Sequence, residues 1–300
     1  MKKMKIIDAH NHPDWHGHDL KRFLENMDAN NIEKTWILSW ECGAHEYQPE
    51  SKYAFPAGPL GTNSNPIPFE RCLYYKEQAP DRFILGYCPD PRLPDACLRL
   101  RAAHYIYGAQ VCGELKCRMM YDDFDALRLF RTAGELRMPV TFHLQYDFQP
   151  TCDDQWGEWW GGTIDTIERV LQACPETNFL GHAPGFWIHM SNDDLYTKTN
   201  YAPVPAKVVE NGRIAQLLRK YPNLYCDMSA GSGCTAFTRD MEHARKFLIE
   251  FQDRVVYARD YFDNVHQEFL AKLDLPETIL EKIYHGNAEK LVHEPLRRKI

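Results

Sequence analysis

The sequence predicts an α/β protein, a (β/α)8 TIM barrel with long loops on the C-terminal face of its strands. Short runs rich in β-branched and aromatic residues alternate eight times with amphipathic helical stretches, as parallel strands with crossover helices do. Eight strands close a barrel, and a barrel of about 250 residues or more fits the 300 residues of the chain. We expect one domain, residues 1–300. An open doubly wound sheet is less favoured, because no Gly-x-Gly-x-x-Gly motif follows a predicted strand.

The predicted elements follow one another in regular order. In the first half, strands are predicted at 5–9, 34–39, 82–87 and 108–116, and helices at 19–30, 68–79, 94–104 and 122–137. In the second half, strands are predicted at 139–143, 178–182, 224–228 and 254–260. A final helical region is predicted at 276–293, with a break near Gly286 and Asn287.

Composition excludes several classes of protein. The formal net charge of −7 argues against a general nucleic-acid binder, because phosphate binding needs a basic face. No apolar run approaches the roughly 18 residues of a membrane helix, and the basic start lacks the apolar segment of a signal peptide. We therefore expect a cytoplasmic protein with no membrane partner. The sequence is compatible with a homo-oligomer. The ten cysteines contain no Cys-x-x-Cys pair and are expected to be reduced thiols.

Polar side chains lie at the ends of five predicted strands. They are His10 and His12, Glu114 and Lys116, His143, His182, and Asp260. In a barrel the C-terminal ends of all strands share one face, so these residues would meet there. The i, i+2 spacing of His10 and His12 directs both imidazoles to the same side of an extended strand. Histidines with a carboxylate predict a divalent metal site, with zinc the first expectation and manganese or iron the alternatives.

Six segments also occur in one order along nearly the whole chain. They are IIDAHNH, GELK with the helix and strand after it, FLGHAPG, LLRKYPNLYCDMSAGSG, DRVVYARDYF and ILEKIYHGNAEKLV. In these segments the chain resembles the amidohydrolase superfamily, within it the amidohydrolase-related group that includes aminocarboxymuconate-semialdehyde decarboxylase and several lactonases and hydratases. The resemblance implies a metal-dependent enzyme on a TIM barrel.

The resemblance also implies a role for each strand-end residue. His10, His12 and His143 would be metal ligands. Asp260 would be both a ligand and the proton acceptor for a water bound to the metal, whose pKa a divalent ion lowers toward 7. His182 would be a further ligand or a catalytic acid or base.

Glu114, Lys116 and Arg259 leave alternatives open. Glu114 could bridge two metal ions, or it could pair with Lys116, since buried charges need partners. Lys116 could instead hold a substrate carboxylate. Arg259 stands where the superfamily commonly has a small residue before Asp260. It could turn inward to the substrate, although strand alternation directs it out of the barrel.

Three loops on the predicted active face are long, at 40–65, 145–162 and 183–210. Loops of this length are often lids or binding loops. Their tryptophans could line a substrate pocket or pack the loops against the barrel: Trp156, Trp159, Trp160 and Trp187. Ser229 begins the sequence SAGSG, which could approach an anionic substrate or form a flexible turn. His16 and His18, beyond Pro13, are expected at the edge of the pocket or in solvent.

Two reactions on a small-molecule substrate fit these residues. The first expectation is a metal-dependent hydrolase, in which an activated water attacks a lactone, ester or amide carbonyl of a small acidic substrate. The alternative is a nonoxidative decarboxylase of a small carboxylic acid, with His182 as acid or base. An inactive binding protein on the same barrel is a third hypothesis, because a fold does not determine a function.

Overall fold

The computed structural model describes residues 4–43, 46, 67–146 and 159–295, and within them eight parallel strands follow chain order. They are β1 (Ile7–Asn11), β2 (Lys34–Ile37), β3 (Phe83–Leu85), β4 (Cys112–Leu115), β5 (Val140–His143), β6 (Phe179–His182), β7 (Leu224–Asp227) and β8 (Val255–Val256). The N–H of Tyr87 donates to Val111 (2.9 Å) between β3 and β4, and that of Ala9 to Tyr257 (3.0 Å) between β8 and β1. These bonds connect the sheet β1–β2–β3 to the sheet β4–β8 at both edges. The predicted TIM barrel is confirmed.

Helices cover the outside of the barrel. In the described ranges they are α1 (Leu20–Ala29), α2 (Phe69–Gln78), α3 (Ala96–Tyr107), α4 (Phe124–Glu135), α5 (Ile164–Ala173), α6 (Pro184–Trp187), α7 (Arg213–Lys220), α8 (Ala230–Thr238), α9 (Met241–Glu250), α10 (Val265–Ala271), α11 (Glu277–Glu281) and α12 (Asn287–Leu291). Local chemistry sets their ends. The Asp19 carboxylate accepts the N–H of Arg22 at the start of α1 (2.9 Å), and Gly108 ends α3 with a left-handed φ of 76°.

The predicted elements differ from the structure at three places. Strand 254–260 contains only Val255–Val256, and Asp260 lies in the irregular segment that follows. The chain does not break near Gly286 and Asn287: Gly286 is the last residue of a π-helical turn, and Asn287 begins the α-helix that follows it. The segment 229–233 is not a flexible turn, because Ser229 is the N-cap of α8 and residues 230–233 form its first turn.

A β-bulge in β1 sets the direction of the strand-end histidines. Between Asp8 and Asn11 the strand has one residue more than β2, to which it pairs. Asp8 therefore faces the helical layer, where it binds Arg259 beside Asn26 of α1. His10 faces the barrel interior.

The core has two layers. One cluster contains Ile7, Ala9, Trp36, Leu38, Ile84, Val111, Leu180, Val256 and Ala258. Because these residues come from strands all around the ring, they can meet only inside the barrel. A larger cluster, which includes Phe23 of α1 and Phe179 of β6, packs the strands against the helices. The site thus stands on a filled barrel.

Cysteines and helix lengths complete the description. The nine cysteines among the described residues are free thiols, most of them buried. Cys152 lies outside the described residues. In the same part of the chain, every helix is too short or too polar to cross a bilayer.

Gly233 and Gly231 of α8 provide a matched pair of substitutions. A Cβ at Gly233 would lie 2.1 Å from the carbonyl oxygen of Met228, whereas a Cβ at Gly231 would meet nothing within 4 Å. Alanine improves helix propensity by about 1 kcal/mol at either position. We expect Gly233→Ala to lower the free energy of unfolding by about 2 kcal/mol or more, and Gly231→Ala to maintain or raise it. Urea denaturation followed by circular dichroism measures both, and equal stabilities would contradict the packing of α8.

Candidate metal centre

Four side-chain atoms converge at the C-terminal ends of β1, β4 and β8. They are Nε2 of His10, Nε2 of His12, Oε2 of Glu114 and Oδ1 of Asp260. His10 Nε2 lies 3.3 Å from that of His12, and 3.7 and 3.9 Å from the Glu114 and Asp260 oxygens. His12 Nε2 lies 3.3 and 3.5 Å from the same two oxygens. Ligands about 2.1 Å from a tetrahedral ion lie about 3.4 Å apart, so His10, His12 and Asp260 have the spacing of a metal-binding set. Glu114 forms a second such set with His10 and His182.

The contacts of Nδ1 leave Nε2 of His10 and of His12 as the ring atoms available to a metal ion. Nδ1 of His10 lies 2.6 Å from the Asp227 carboxylate, and Nδ1 of His12 lies 2.9 Å from the Leu38 carbonyl. Burial alone would lower the pKa of His10, but the nearby carboxylates of Asp227 and Asp260 raise it well above its ordinary value in the absence of a cation. In the form that binds a cation, each ring is neutral with its N–H on Nδ1, and the two Nε2 atoms direct lone pairs toward each other. Such lone pairs repel unless a cation or proton lies between them. Metal-binding histidines typically donate their other N–H to a carboxylate or carbonyl, as both do here.

Asp260 joins this set from an unusual backbone conformation. It is a non-glycine residue with a left-handed φ of 56°, and its N–H donates to the His10 carbonyl (2.9 Å). Its Oδ1 is buried and has no hydrogen-bond partner among the described residues. Burial raises the pKa of Asp260 to about 6. A buried carboxylate oxygen without a donor fits a metal ligand, because leaving it uncompensated is costly.

Glu114 and Asp260 each direct a second oxygen toward another pair of histidines. Oε1 of Glu114 lies 2.8 Å from His143 Nδ1 and 3.7 Å from His182 Nε2. Oδ2 of Asp260 lies 3.9 Å from His182 Nε2. Burial alone would raise the pKa of Glu114, but hydrogen bonds from His10, His12 and His143 hold it well below its ordinary value. Glu114 could therefore contact a cation on either of its two sides.

Lys116 lies beside this cluster and forms no ion pair with Glu114 in the described part of the chain. Its ammonium nitrogen lies 4.4 Å from the ring centre of Trp40 and 4.6 Å from that of Trp160, which are favourable cation–π distances. The Trp160 ring also contacts the ring of His143 edge-on, with centres 5.2 Å apart. The positive charge is thus held at the edge of the cluster without being neutralised by Glu114.

Asp227 and Ser229 support two of the histidines from behind. The Asp227 carboxylate contacts His10 Nδ1 and accepts the N–H of Ser229 at 2.9 Å. The hydroxyl of Ser229 lies 2.9 Å from His182 Nδ1. Ser229, a candidate for substrate binding, is fully buried, and its hydroxyl faces His182. The N-terminus of α8 therefore packs directly behind the cluster, and the role of Ser229 toward a substrate stays a prediction.

Sequence reasoning did not select Asp227 or Gln145. Asp227 is the last residue of β7, so the strand-end argument used for the other strands would have found it. Gln145 lies two residues after His143, and its Oε1 is 3.1 Å from His143 Nε2. Both residues fix a ring nitrogen of a histidine, a role that residue type alone does not indicate.

Arg259 and Trp187, for which substrate contact and structural packing were both left open, are buried with partners of their own. Arg259 is 1% exposed, and its guanidinium donates to Asp8 (2.9 Å) and Asn26 (2.8 Å). Trp187 is 1% exposed, and its N–H donates to the main-chain carbonyl of Asp227 (3.1 Å). A buried guanidinium requires a carboxylate, and a buried indole requires a hydrogen-bond acceptor. Asp8 meets the first requirement and the Asp227 carbonyl meets the second.

Of the loop tryptophans, one lies outside the described residues and another lines a cavity beside the histidine cluster. Trp156 and most of loop 40–65 lie outside the described residues. Trp159 lines a cavity of about 680 Å³ between the segments that follow β5 and β6, together with Gln145, Tyr146 and His189. Because Gln145 also contacts His143, this cavity adjoins the histidine cluster.

Comparison with known proteins identifies the family. The family model described as Amidohydrolase matches residues 69–293, which include the segments with Glu114, His143, His182 and Asp260. The chain belongs to the amidohydrolase family. The resemblance seen in the sequence is confirmed, and the protein is an enzyme of the amidohydrolase superfamily. No curated protein matches its sequence.

Solved structures share the amidohydrolase barrel at low sequence identity. An uncharacterized TIM-barrel protein from Bordetella bronchiseptica is 16% identical, with a TM-score of 0.63 over 96% of this chain and 98% of that chain. The 5-carboxyvanillate decarboxylase from Sphingomonas paucimobilis is 13% identical, with a TM-score of 0.61 over 97% and 100% of the chains. A dihydroxybenzoic acid decarboxylase from Polaromonas, with bound manganese and the inhibitor 2-nitroresorcinol, is 15% identical, with a TM-score of 0.59 over 97% of each chain. At such low sequence identity, the structural similarity of these proteins shows a shared fold.

Replacing Asp227 tests whether the histidine orientation serves a metal. Asp227→Asn removes the charge behind His10 while retaining its shape, so we expect the affinity for Zn²⁺ or Mn²⁺ to fall about 10- to 100-fold. Competition with a coloured chelator measures this affinity. The control, Asp194→Asn, removes an exposed carboxylate that pairs with Lys198 and should leave metal affinity unchanged. Equal affinities in the two variants would contradict the role of Asp227.

Proposed function

We propose that this amidohydrolase-family enzyme is a metal-dependent, nonoxidative decarboxylase of a small carboxylic acid. The observation that carries the proposal is the ammonium of Lys116, placed beside the histidine and carboxylate cluster where it can pair with a substrate carboxylate. Proteins that share the fold include decarboxylases of 5-carboxyvanillate and dihydroxybenzoic acid. This supports decarboxylation over the hydrolysis that the sequence first suggests.

His10, His12 and Asp260 would hold a divalent cation, with Glu114 and His143 as adjoining ligands. The facing Nε2 atoms of His10 and His12 and the buried Oδ1 of Asp260 fit such an ion. When bound, the cation would hold and orient the substrate next to these residues. Manganese, which the Polaromonas decarboxylase binds, and zinc both accept imidazole and carboxylate ligands. The preference for zinc stays a prediction.

Lys116 is proposed to anchor the carboxylate that is lost. Its ammonium carries three donors and lies between the rings of Trp40 and Trp160, both of which are 3% exposed. These rings limit the water around the charge, which strengthens its attraction for an anion. They would also place aromatic surface next to the substrate. A small aromatic acid is the substrate class that fits both features.

His182 and Asp260 are proposed to deliver the proton that replaces carbon dioxide. Loss of carbon dioxide leaves an electron pair on the substrate carbon, which must take up a proton. Burial lowers the pKa of His182 to about 3, so its ring is neutral. When Ser229 donates its hydroxyl proton to Nδ1, the ring proton lies on Nε2, which faces Oδ2 of Asp260 at 3.9 Å. The proton would come from Asp260, whose pKa burial raises to about 6, and the Nε2–H of the neutral His182 ring would stabilise the carboxylate that remains.

A hydrolase is the second candidate, and one observation favours it. Glu114 directs its two oxygens to two different groups of histidines. With a cation on each side of Glu114, the same residues would suit attack of water on a lactone, ester or amide carbonyl. The number of bound cations therefore bears on the choice between the two reactions.

Product analysis separates these candidates. The enzyme loaded with Mn²⁺ or Zn²⁺ would be incubated with small aromatic acids, including 2,6-dihydroxybenzoate and 5-carboxyvanillate, and separately with small lactones. We expect release of carbon dioxide and, in heavy water, deuterium on the carbon that lost it. Asp260→Asn should abolish this release. Lactone hydrolysis without carbon dioxide would instead support the hydrolase, and metal-free enzyme of undiminished activity would contradict both.

Substitution of Lys116 tests the proposed carboxylate anchor. Lys116→Met should raise KM for the acid about 10- to 100-fold, because a charge-assisted hydrogen bond contributes about 1.5–3 kcal/mol. Lys116→Arg should retain part of the affinity because it keeps the charge. Steady-state kinetics with measured metal content provides the comparison, and Lys198→Met, at an exposed lysine, is the control. An unchanged KM in Lys116→Met would disprove the anchor.

A further inference from the structure

The loop that carries Asp260 is held by side chains from the first strand and helix of the barrel. Main-chain carbonyls of the four consecutive residues 260–263 each accept a side-chain hydrogen bond. The donors, in that order, are Trp15 Nε1 (2.6 Å), Asn11 Nδ2 (2.8 Å), Asn26 Nδ2 (2.7 Å) and Arg259 Nη1 (3.4 Å). Three of these donors come from β1, α1 and the segment between them. An irregular segment is thereby fixed residue by residue.

Trp15 occupies a special place among these donors. It holds the carbonyl of Asp260 itself, while the N–H of Asp260 donates to His10 (2.9 Å). Both peptide groups next to the left-handed Asp260 are therefore fixed. The indole of Trp15 also meets the ring of His12 edge-on, with ring centres 5.2 Å apart. One side chain thus contacts two members of the metal-binding set.

His16 and His18, which follow His10 and His12 in the sequence, also contact the loop that carries Asp260. The ring of His16 lies 4.8 Å from that of Tyr261, and the ring of His18 stacks on Phe262 at 3.6 Å with an interplanar angle of 10°. Together with Trp15, they join segment 15–18 to segment 260–262 through side chains of both. His16 and His18 thus face the loop that carries Asp260, and His10 and His12 face the metal-binding cluster.

We propose that Trp15 is a positioning residue that holds Asp260 in its metal-binding orientation. A left-handed conformation at a non-glycine residue is unfavourable and persists only where its surroundings hold it. The hydrogen bond from Trp15 supplies part of that restraint from outside the cluster. The inference rests on Asp260 being a ligand of the metal centre in the proposed function. It adds a residue that touches neither metal nor substrate.

Trp15→Phe tests this role, because it removes the indole N–H and retains an aromatic ring. Co²⁺ is the probe, since its affinity and visible absorption spectrum both report on ligand geometry. We expect the Co²⁺ affinity of Trp15→Phe to fall about 10-fold or more, with an altered spectrum and a lower kcat. Thermal unfolding of the metal-free protein shows separately whether the variant is folded.

Trp36→Phe is the matched control. Trp36 is a fully buried tryptophan in the barrel interior, and its Nε1 has no hydrogen-bond partner in the described ranges. This control should lower the melting temperature of the metal-free protein while leaving the Co²⁺ affinity and spectrum unchanged. If folded Trp15→Phe binds Co²⁺ with the wild-type affinity and spectrum, the positioning role is wrong. If the wild-type protein itself binds no Co²⁺, the metal centre of the proposed function fails and the positioning role fails with it.

Discussion

Two carboxylates, the buried Glu114 and the partly buried Asp260, lie among four buried histidines, and the site depends on this constraint. Negative charge removed from water requires compensation, and a neutral imidazole compensates only where it has an N–H to donate. As neutral rings, His10 and His12 would use their N–H groups on Asp227 and Leu38 and offer lone pairs to the site. A divalent cation satisfies the carboxylates and the lone pairs together. Because the ligands come from separate strands, metal binding would also connect distant parts of the barrel.

The regular barrel does not produce this arrangement by itself. Strand alternation would direct Asp8 and His10 to the same side, and the bulge in β1 separates them. Asp260 follows β8 in a left-handed conformation that is rare for a residue with a side chain. Local departures from ideal geometry therefore lie at the cluster itself. They persist because neighbouring elements hold them, including the buried ion pair of Asp8 with Arg259 and the indole of Trp15.

The same cluster is compatible with decarboxylation and with hydrolysis, because both use a cation, a carboxylate and an imidazole. What separates them is the charge at the edges. Lys116 adds a positive group where a substrate carboxylate can lie, and Glu114 adds a negative group where a second cation can lie. The barrel positions both groups but does not choose the reaction. Specificity then depends on the aromatic surface around Lys116 and on the cavity beside Gln145.

The sequence by itself determined the barrel and brought His10, His12, Glu114, His143, His182 and Asp260 to one face, because hydrophobic periodicity sets the strands and parallel strands end together. It could not give the partners of Arg259, Trp187 and Ser229, since a side chain's direction depends on which distant group can satisfy it once buried. Nor could it show that His16 and His18 meet the Asp260 loop. Those outcomes were decided by tertiary structure, because contacts between the two ends of the chain form only when β8 closes the barrel against β1.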